Sequence, residues 1–396
     1  MARTLKSDRF LFITTLLLVG ASVVMVYSAS AVQAQTRHDQ PYYFLFKQLE
    51  WAALGFVLLL GAMRVDYHHY RRPAVIWSLL AIVGVGLLAV FLFAPSNGAR
   101  RWIAFAGVSM QPSELAKLAA IIFTAALLER RMSRVNDAMF ALLPIGIVTG
   151  ALAGLIVLEP DFGTATMVVL VVVTIVFAAG LSYRYLIGSA LVLLPVAMLL
   201  IAGKTYRMRR VMTFLDPWQD PLGAGYQTIQ ALIAVGSGGP FGTGLMGGVQ
   251  KLFYIPEPHT DYIFAVIAEE LGLVGTTVVL ICFAVIAWRG LRTALVAADR
   301  FGSLLAVGLT AMVAWQALFN MSVVVGLVPT KGIPLPFVSN GGSSLVVNLI
   351  AMGILLNISQ QSSSMAALAI DRPDEIDEEE AAVTSALAPA EQGMNA

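Results

Sequence analysis

The chain has 396 residues, 58% of them apolar and only 12% charged, with a mean hydropathy of +0.80. A soluble domain of this size would carry about a quarter of its residues as charges, so a water-soluble packed core is excluded and the class is an all-α polytopic membrane protein. The net charge of +1 says nothing of partners, because the two signs are segregated along the chain, and the single cysteine, Cys282, excludes an intrachain disulfide and a cysteine-based metal site.

Taken in chain order at about 20 apolar residues per span, ten transmembrane helices are predicted. They lie near 10–33, 44–63, 74–94, 112–129, 138–158, 162–181, 185–202, 262–288, 302–326 and 342–359. Arg3, Lys6 and Arg9 precede the first, and Ala29-Ser30-Ala31 within it resembles a signal-peptidase site. Its apolar run exceeds the ~7–15 residues of a signal peptide, so it is read as an uncleaved helix. Only "EPDFG" separates the fifth and sixth segments, where a re-entrant pair would look the same.

Ten spans place both termini on one side. On that side fall the basic N-terminus and the loops holding Arg64, Arg71 and Arg72, then Arg130, Arg131 and Arg134, then Arg289, Arg292 and Arg300. Positive-inside bias makes this face cytoplasmic. Residues 203–261 then form a large extracellular loop between helices 7 and 8. Residues 1–360 make one transmembrane domain. The segment 361–396 carries Asp371, Asp374, Glu375, Asp377, Glu378, Glu379, Glu380 and Glu391 against Arg372, and is expected to be a disordered cytoplasmic tail.

The remaining polar residues converge on the extracellular side. Glu114 and Lys117 in "QPSELAKLA" stand three apart on one helix face, as a structural ion pair or as one wall of a polar cavity. In "EPDFGTA", Glu159 and Asp161 mark the ends of two helices, and Asp161 is equally suited to cap the second. The 203–261 segment is dense in Gly and Pro; "YQTIQALIAVGSGG" suggests one interfacial helix ended by glycines. "GSGGPFGTGLMGG" lacks the strand and helix of a phosphate-binding loop, so no nucleotide site is assigned. In "HTDYIFAVIAEELG", Asp261 falls where helix 8 begins, as a cap or as a functional carboxylate. Glu269 and Glu270 follow about 12–14 Å deeper on a regular helix, needing a partner such as Lys117 or a helix break at Gly272. His259 suits a surface hydrogen bond better than a metal ligand and is a candidate substrate contact. In "GLVPTKGIPLPFVSNGGSS", three prolines forbid regular helix. After Ser339, the run Gly341-Gly342-Ser343-Ser344 presents backbone N–H groups at a helix start, an anion site with Lys331 nearby.

These segments resemble the SEDS family of cell-wall polymerases, the group that contains FtsW, RodA and SpoVE. The likeness rests on "NGARRWI" (97–103), "QPSELAKLA" (111–119), "EPDFGTA" (159–165), "PEPHTDYIFAVIAEELGLVG" (256–275) and "PLPFVSNGGSS" (334–344), in family order. "DPWQDPLGAGYQ" (216–227) and "VPTKG" (328–332) look more like the septal FtsW-like branch than the RodA or SpoVE branch. One departure is Asn340, where the family pattern has Tyr.

The resemblance implies a peptidoglycan glycosyltransferase of the bacterial plasma membrane, acting at the division septum on lipid II in the outer leaflet. It gives Asp261 the catalytic role, and names a class B penicillin-binding protein and other divisome proteins as partners alongside membrane lipid. No nucleic acid and no organic cofactor are expected. An acceptor hydroxyl must lose a proton as it attacks the anomeric carbon, which one carboxylate can accept. The leaving pyrophosphate must be offset by cations, for which Arg100, Arg101, Lys251, Lys331, Arg207, Arg209 and Arg210 are candidates, or by a divalent ion such as Mg or Mn. Two other classes compete. In a lipid II flippase, Glu114, Lys117, Glu269 and Glu270 would form a polar path across the bilayer; a scaffold would carry no chemistry.

Overall fold

The computed structural model describes residues 7–94, 100–105 and 108–371. It is a bundle of helices: α1 (Arg9–His38), α2 (Tyr43–Arg64), α3 (Pro73–Ala89), α4 (Pro112–Arg131), α5 (Leu143–Leu158), α6 (Phe162–Ala178), α7 (Tyr183–Ala202), α8 (Thr205–Leu215), α9 (Tyr226–Ser237), α10 (Ile263–Leu295), α11 (Arg300–Val324) and α12 (Gly342–Asp371). Their ends follow local chemistry. Pro73 and Pro112 open α3 and α4, where a missing N–H costs nothing. Asp8 caps α1 through Leu11 N at 3.1 Å and also accepts Arg289 Nε at 2.6 Å, tying the start of α1 to α10. Asp299 caps α11 through Gly302 N at 2.8 Å.

Among the described residues, eight helices are long and apolar enough to cross a membrane. Two more segments of the predicted ten fall on α6, which is 17 residues long, and on α4, which Glu114, Lys117, Glu129, Arg130 and Arg131 make more polar. The bundle is layered by burial: the apolar windows of α12 and α11 are 83% and 72% buried, and that of α7 is 0%. Thus α11 and α12 form the core, with α12 packed along α2, α10 against α1 and α11, and α6 between α4, α5 and α11. Helix α7 leaves apolar side chains such as Leu191, Val192, Met198 and Leu199 exposed, as a lipid-facing helix does. Helix α1 is continuous through Ala29, Ser30 and Ala31, all three buried.

The long segment between α7 and α10 is more ordered than its composition suggests. Besides the expected helix at 226–237 it contains α8, an amphipathic helix not expected from the sequence. A short antiparallel ribbon, β1 (Ile103–Phe105) and β2 (Val108–Met110), pairs Ile103 with Met110 and was also not foreseen. Helix α12 runs on to Asp371, across the expected boundary at 360. The acidic stretch 372–396 and Asn97-Gly98-Ala99 lie outside the described residues.

Helix α10 breaks at Gly272, whose φ of 65° and ψ of −159° leave the helical region. The backbone groups freed by the break are taken up by the glycine-rich loop. Leu273 N donates to Gly239 O (2.9 Å) and Val274 N to Pro240 O (3.1 Å), while Thr243 N and Gly244 N donate to the carbonyls of Glu269 (2.9 Å) and Glu270 (3.0 Å). Broken backbone within a membrane bundle survives only where such partners exist. "GSGGPFGTGLMGG" is therefore a backbone plug: a Cβ on Gly272 would lie 2.3 Å from Gly242 N.

Candidate active site

A cavity of about 510 Å³ opens at the end of the bundle where α4, α6 and α10 begin. Three carboxylates line it, Asp161, Glu257 and Asp261, with three cations, Arg101, Arg210 and Lys331. Gln111, Gln227, Tyr262, Asn340, Gly341 and Ser344 add polar wall. It is an amphoteric cleft beside apolar helices.

Asp261 sits just before α10, on a wall made by 256–262 and the proline-rich segment 330–341. Asn320 Nδ2 on α11 holds both strands of that wall, donating to Asp261 O and Ile333 O at 2.8 Å each. Ser339 Oγ repeats the tie, donating to Thr260 O at 2.6 Å and accepting Leu335 N at 2.8 Å. Gly332 lies so close that a Cβ there would stand 2.7 Å from Asp261 Oδ2. The carboxylate itself, half-buried at the cavity, has no hydrogen bond or ion pair among the described residues. Burial, Glu257 and Asp161 push it up to about 7, against the pull of Arg101 and Arg210.

Asp161 does two jobs. It caps α6 through Thr164 N (3.1 Å) and Thr164 Oγ1 (2.8 Å), and it accepts Gln111 Nε2 (2.9 Å) at the cavity edge. Arg101 reaches the carbonyls of Glu159 (3.4 Å) and Pro160 (2.6 Å). Glu159 itself is buried, and burial first, then Asp161, pushes it up to about 8, against the pull of Arg101. Lys331 lies 4.4 Å over the Phe162 ring. Burial draws its ammonium down to about 8, opposed by Asp161 and aided by Arg210 and Arg207. Arg210, only one of several cations in the sequence, reaches Thr330 O at 3.5 Å and completes the group.

Several expected site residues do not line the cavity. Arg100 is exposed and donates to Phe91 O (2.8 Å). His259 is buried with its ring 4.3 Å from Phe44, and burial with the nearby Arg37 lowers it to about 4, so it is a neutral packing residue. Gly342 lies under Trp51, and Ser343 Oγ accepts Gln111 N at 3.3 Å. Glu114 and Lys117 form a buried pair at 2.9 Å behind the wall, not in it. Lys117 donates to Gln316 Oε1 (2.7 Å), and Gln316 Nε2 to Pro334 O (3.0 Å), so the pair braces the proline segment from α4 through α11.

Glu269, Glu270 and Lys251 are also withdrawn. Glu269 accepts Val249 N (2.7 Å) and Gln250 N (3.1 Å), while Glu270 accepts Lys251 Nζ (2.5 Å), Ser28 Oγ (2.7 Å) and Met246 N (3.1 Å). Neither meets Lys117; both fasten the long loop to α10 and α1. Gln316 and Asn320, missed in the sequence, are polar residues four apart in the apolar α11, hence on one face, which is a signal that was there to be read.

The family model described as cell cycle protein, FtsW/RodA/SpoVE, matches residues 8–364. A probable peptidoglycan glycosyltransferase FtsW of Geobacter sp. (strain M18) is 42% identical over 91% of this chain and 98% of its own. The stage V sporulation protein E of Bacillus subtilis (strain 168) is 43% identical over 90% and 97%. Among solved structures, a chain from a peptidoglycan synthase complex that coordinates polymerization and crosslinking is 31% identical, with a TM-score of 0.75, covering 90% of this chain and 99% of that one. The rod shape determining protein RodA of Thermus thermophilus is 26% identical, with a TM-score of 0.66 over 91% and 98%.

Proposed function

The chain belongs to the FtsW/RodA/SpoVE family of cell cycle proteins, and from that premise we infer that Asp261 is the general base of a peptidoglycan glycosyltransferase. The protein is a glycosyltransferase of cell-wall synthesis, and the cavity is where its chemistry fits. The observation that carries the assignment is the state of Asp261: a half-buried carboxylate with no fixed partner, facing cations across a cleft.

Lipid II is the substrate the cleft suits, since its sugar and pyrophosphate need polar walls and its isoprenoid tail needs apolar helices alongside. The acceptor 4-hydroxyl oxygen attacks the anomeric carbon of the donor and passes its proton to Asp261. The bond to the pyrophosphate breaks on the opposite face, and undecaprenyl pyrophosphate leaves with the electron pair. One displacement converts an α-linked donor into a β-1,4 product, so no second nucleophile is required. Arg101, Arg210 and Lys331 offset the developing charge. No three metal-ligating side chains converge among the described residues, so a bound Mg or Mn ion would take most of its ligands from the pyrophosphate and water.

In this reading the ten apolar or partly apolar helices α1–α7 and α10–α12 each cross the plasma membrane, both termini face the cytoplasm, and the Asp261 cavity faces outward at the septum. A class B penicillin-binding protein crosslinks the product and works with this chain, together with other divisome proteins. Two features speak against a flippase: Glu269 and Glu270 are spent on the loop, and Glu114 and Lys117 on each other. The test is polymerisation of lipid II by the purified protein, with and without its partner, resolved on a gel. Asp261→Asn is expected to abolish polymer while the protein stays folded; undiminished polymer from that variant would remove Asp261 from the role.

A further inference from the structure

A second cavity, of about 500 Å³, lies at the opposite end of α4 and is lined by Arg71, Arg72, Pro73, Glu129 and Arg130. At 1.5 Å per residue, Glu129 stands roughly 25 Å along the helix from Pro112, close to a full hydrocarbon thickness from the Asp261 cleft. The proposed transferase chemistry makes no use of it.

Its charges do not cancel. Arg71 is neutralised by Glu129 Oε1 at 3.1 Å and Asp299 Oδ2 at 3.6 Å. Arg130 donates to the backbone carbonyl of Arg71 at 3.3 Å, and neither Arg130 nor Arg72 has a carboxylate partner among the described residues. Helix α3 begins at the same place, with Pro73 at its first position and no side-chain cap on its N-terminus. That end of the helix adds partial positive charge, although Pro73 has no N–H and Val75 N and Ile76 N both donate to Arg72 O, at 3.0 and 3.1 Å, which leaves only the N–H of Ala74. The cavity thus offers an anion two unneutralised guanidinium groups beside a helix start.

The outer face of α3 narrows the class of anion. Trp77, one turn beyond Pro73, is 62% exposed, and Val85 and Leu88 continue the same face at 66% and 57%. A water-soluble anion would gain nothing from that stripe. A molecule with an anionic head and an apolar tail would use both. Basic pockets between transmembrane helices bind acidic headgroups for the same reason, and tryptophan settles at the headgroup level.

We propose that this cavity holds the phosphate of an anionic phospholipid, in the leaflet opposite the Asp261 cleft, with an acyl chain lying on Trp77 and Val85. Arg72 and Arg130 grip the phosphate and the start of α3 adds its partial positive charge. The lipid would bridge α3 to the end of α4.

Native mass spectrometry of the full chain, titrated with phosphatidylglycerol or phosphatidylcholine, tests this. The unaltered protein is expected to retain at least one phosphatidylglycerol in preference to phosphatidylcholine, and Arg72→Gln with Arg130→Gln to weaken that retention about tenfold or more. Melting of the double variant in phosphatidylcholine should match the parent, so that a lost preference reports the site and not the fold. Arg72→Gln alone, which breaks no ion pair, should give an intermediate loss. Equal retention by the double variant would overturn the proposal. So would inorganic phosphate at matched concentration stabilising the parent as strongly as the lipid, since that is an anion site only. Retention of phosphatidylglycerol only after residues 372–396 are removed, with none by the full chain, would equally overturn it, by showing that the acidic segment of the chain is the resident ligand.

Discussion

Asp261 and the pair Glu269–Glu270 stand eight and nine residues apart in one run of sequence, yet they meet opposite fates. The two glutamates are buried and saturated: the backbone N–H groups of Met246, Val249 and Gln250, with Ser28 and Lys251, occupy their oxygens. Asp261 is left half-open beside a cavity, with its backbone clamped by Asn320 and its carboxylate unclaimed. A carboxylate at the edge of a bilayer is costly wherever it lies. Where that cost is offset by fixed donors the group is architecture; where it is left standing the group is free for chemistry.

The largest effect that could break this contrast is a split between activity and stability. Asp261→Asn should lower polymerisation by at least the ~10²–10⁴ assigned to a general base and leave the thermal transition within a degree or two. Glu270→Ala should do the reverse in kind. It leaves the Lys251 ammonium buried without its partner, a loss of about 3–5 kcal/mol, read as a much lower melting temperature or failure to accumulate. Were Glu270→Ala to fold as well as the parent while losing polymerisation, the two regions would not differ in kind.

Gly272→Ala and Gly332→Ala probe the same contrast more finely. At Gly272 the added methyl meets the backbone of Gly242 at 2.3 Å in a conformation with φ of 65°, so the plug must come apart. That destabilisation should be several kcal/mol. At Gly332 the methyl meets only the Asp261 carboxylate, at 2.7 Å, and the side chain can turn away. The expected result is a fold of unchanged stability with a turnover rate reduced by about tenfold or more, since small misplacements of a reacting group are costly.

Much of the fold was legible because hydropathy reports long apolar helices directly, and α1–α7 and α10–α12 fall where the apolar runs are. The outer segment was less so, since its order comes from tertiary backbone pairing that leaves only glycine in the sequence. For the site, residue type and position singled out Asp161, Asp261 and Lys331, which share one cleft. Sequence could not rank Arg210 among its neighbours or foresee that Lys251 is taken by Glu270, because both depend on which way a loop folds back. The bracing of the proline segment by Gln316 and Asn320 required knowing that α11 is central.

The smallest expected effect is on pH dependence, and it separates the two regions without altering either fold. Burial, Glu257 and Asp161 hold Asp261 near pH 7, so the base becomes competent as pH rises through that value. Lys331, drawn down to about 8, is cationic below that pH and loses its charge above it. Polymerisation should therefore climb from about pH 6, crest between about 7 and 8, and decline beyond. Glu257→Gln removes a like charge from beside Asp261 and should move the rising limb to lower pH. Lys331→Arg keeps its charge throughout and should carry the falling limb higher. Glu270→Gln, distant from both groups and wholly enclosed, should leave the profile of whatever protein folds unchanged in shape. A displaced rising limb in that variant would mean that the enclosed cluster and the open cleft titrate as one system.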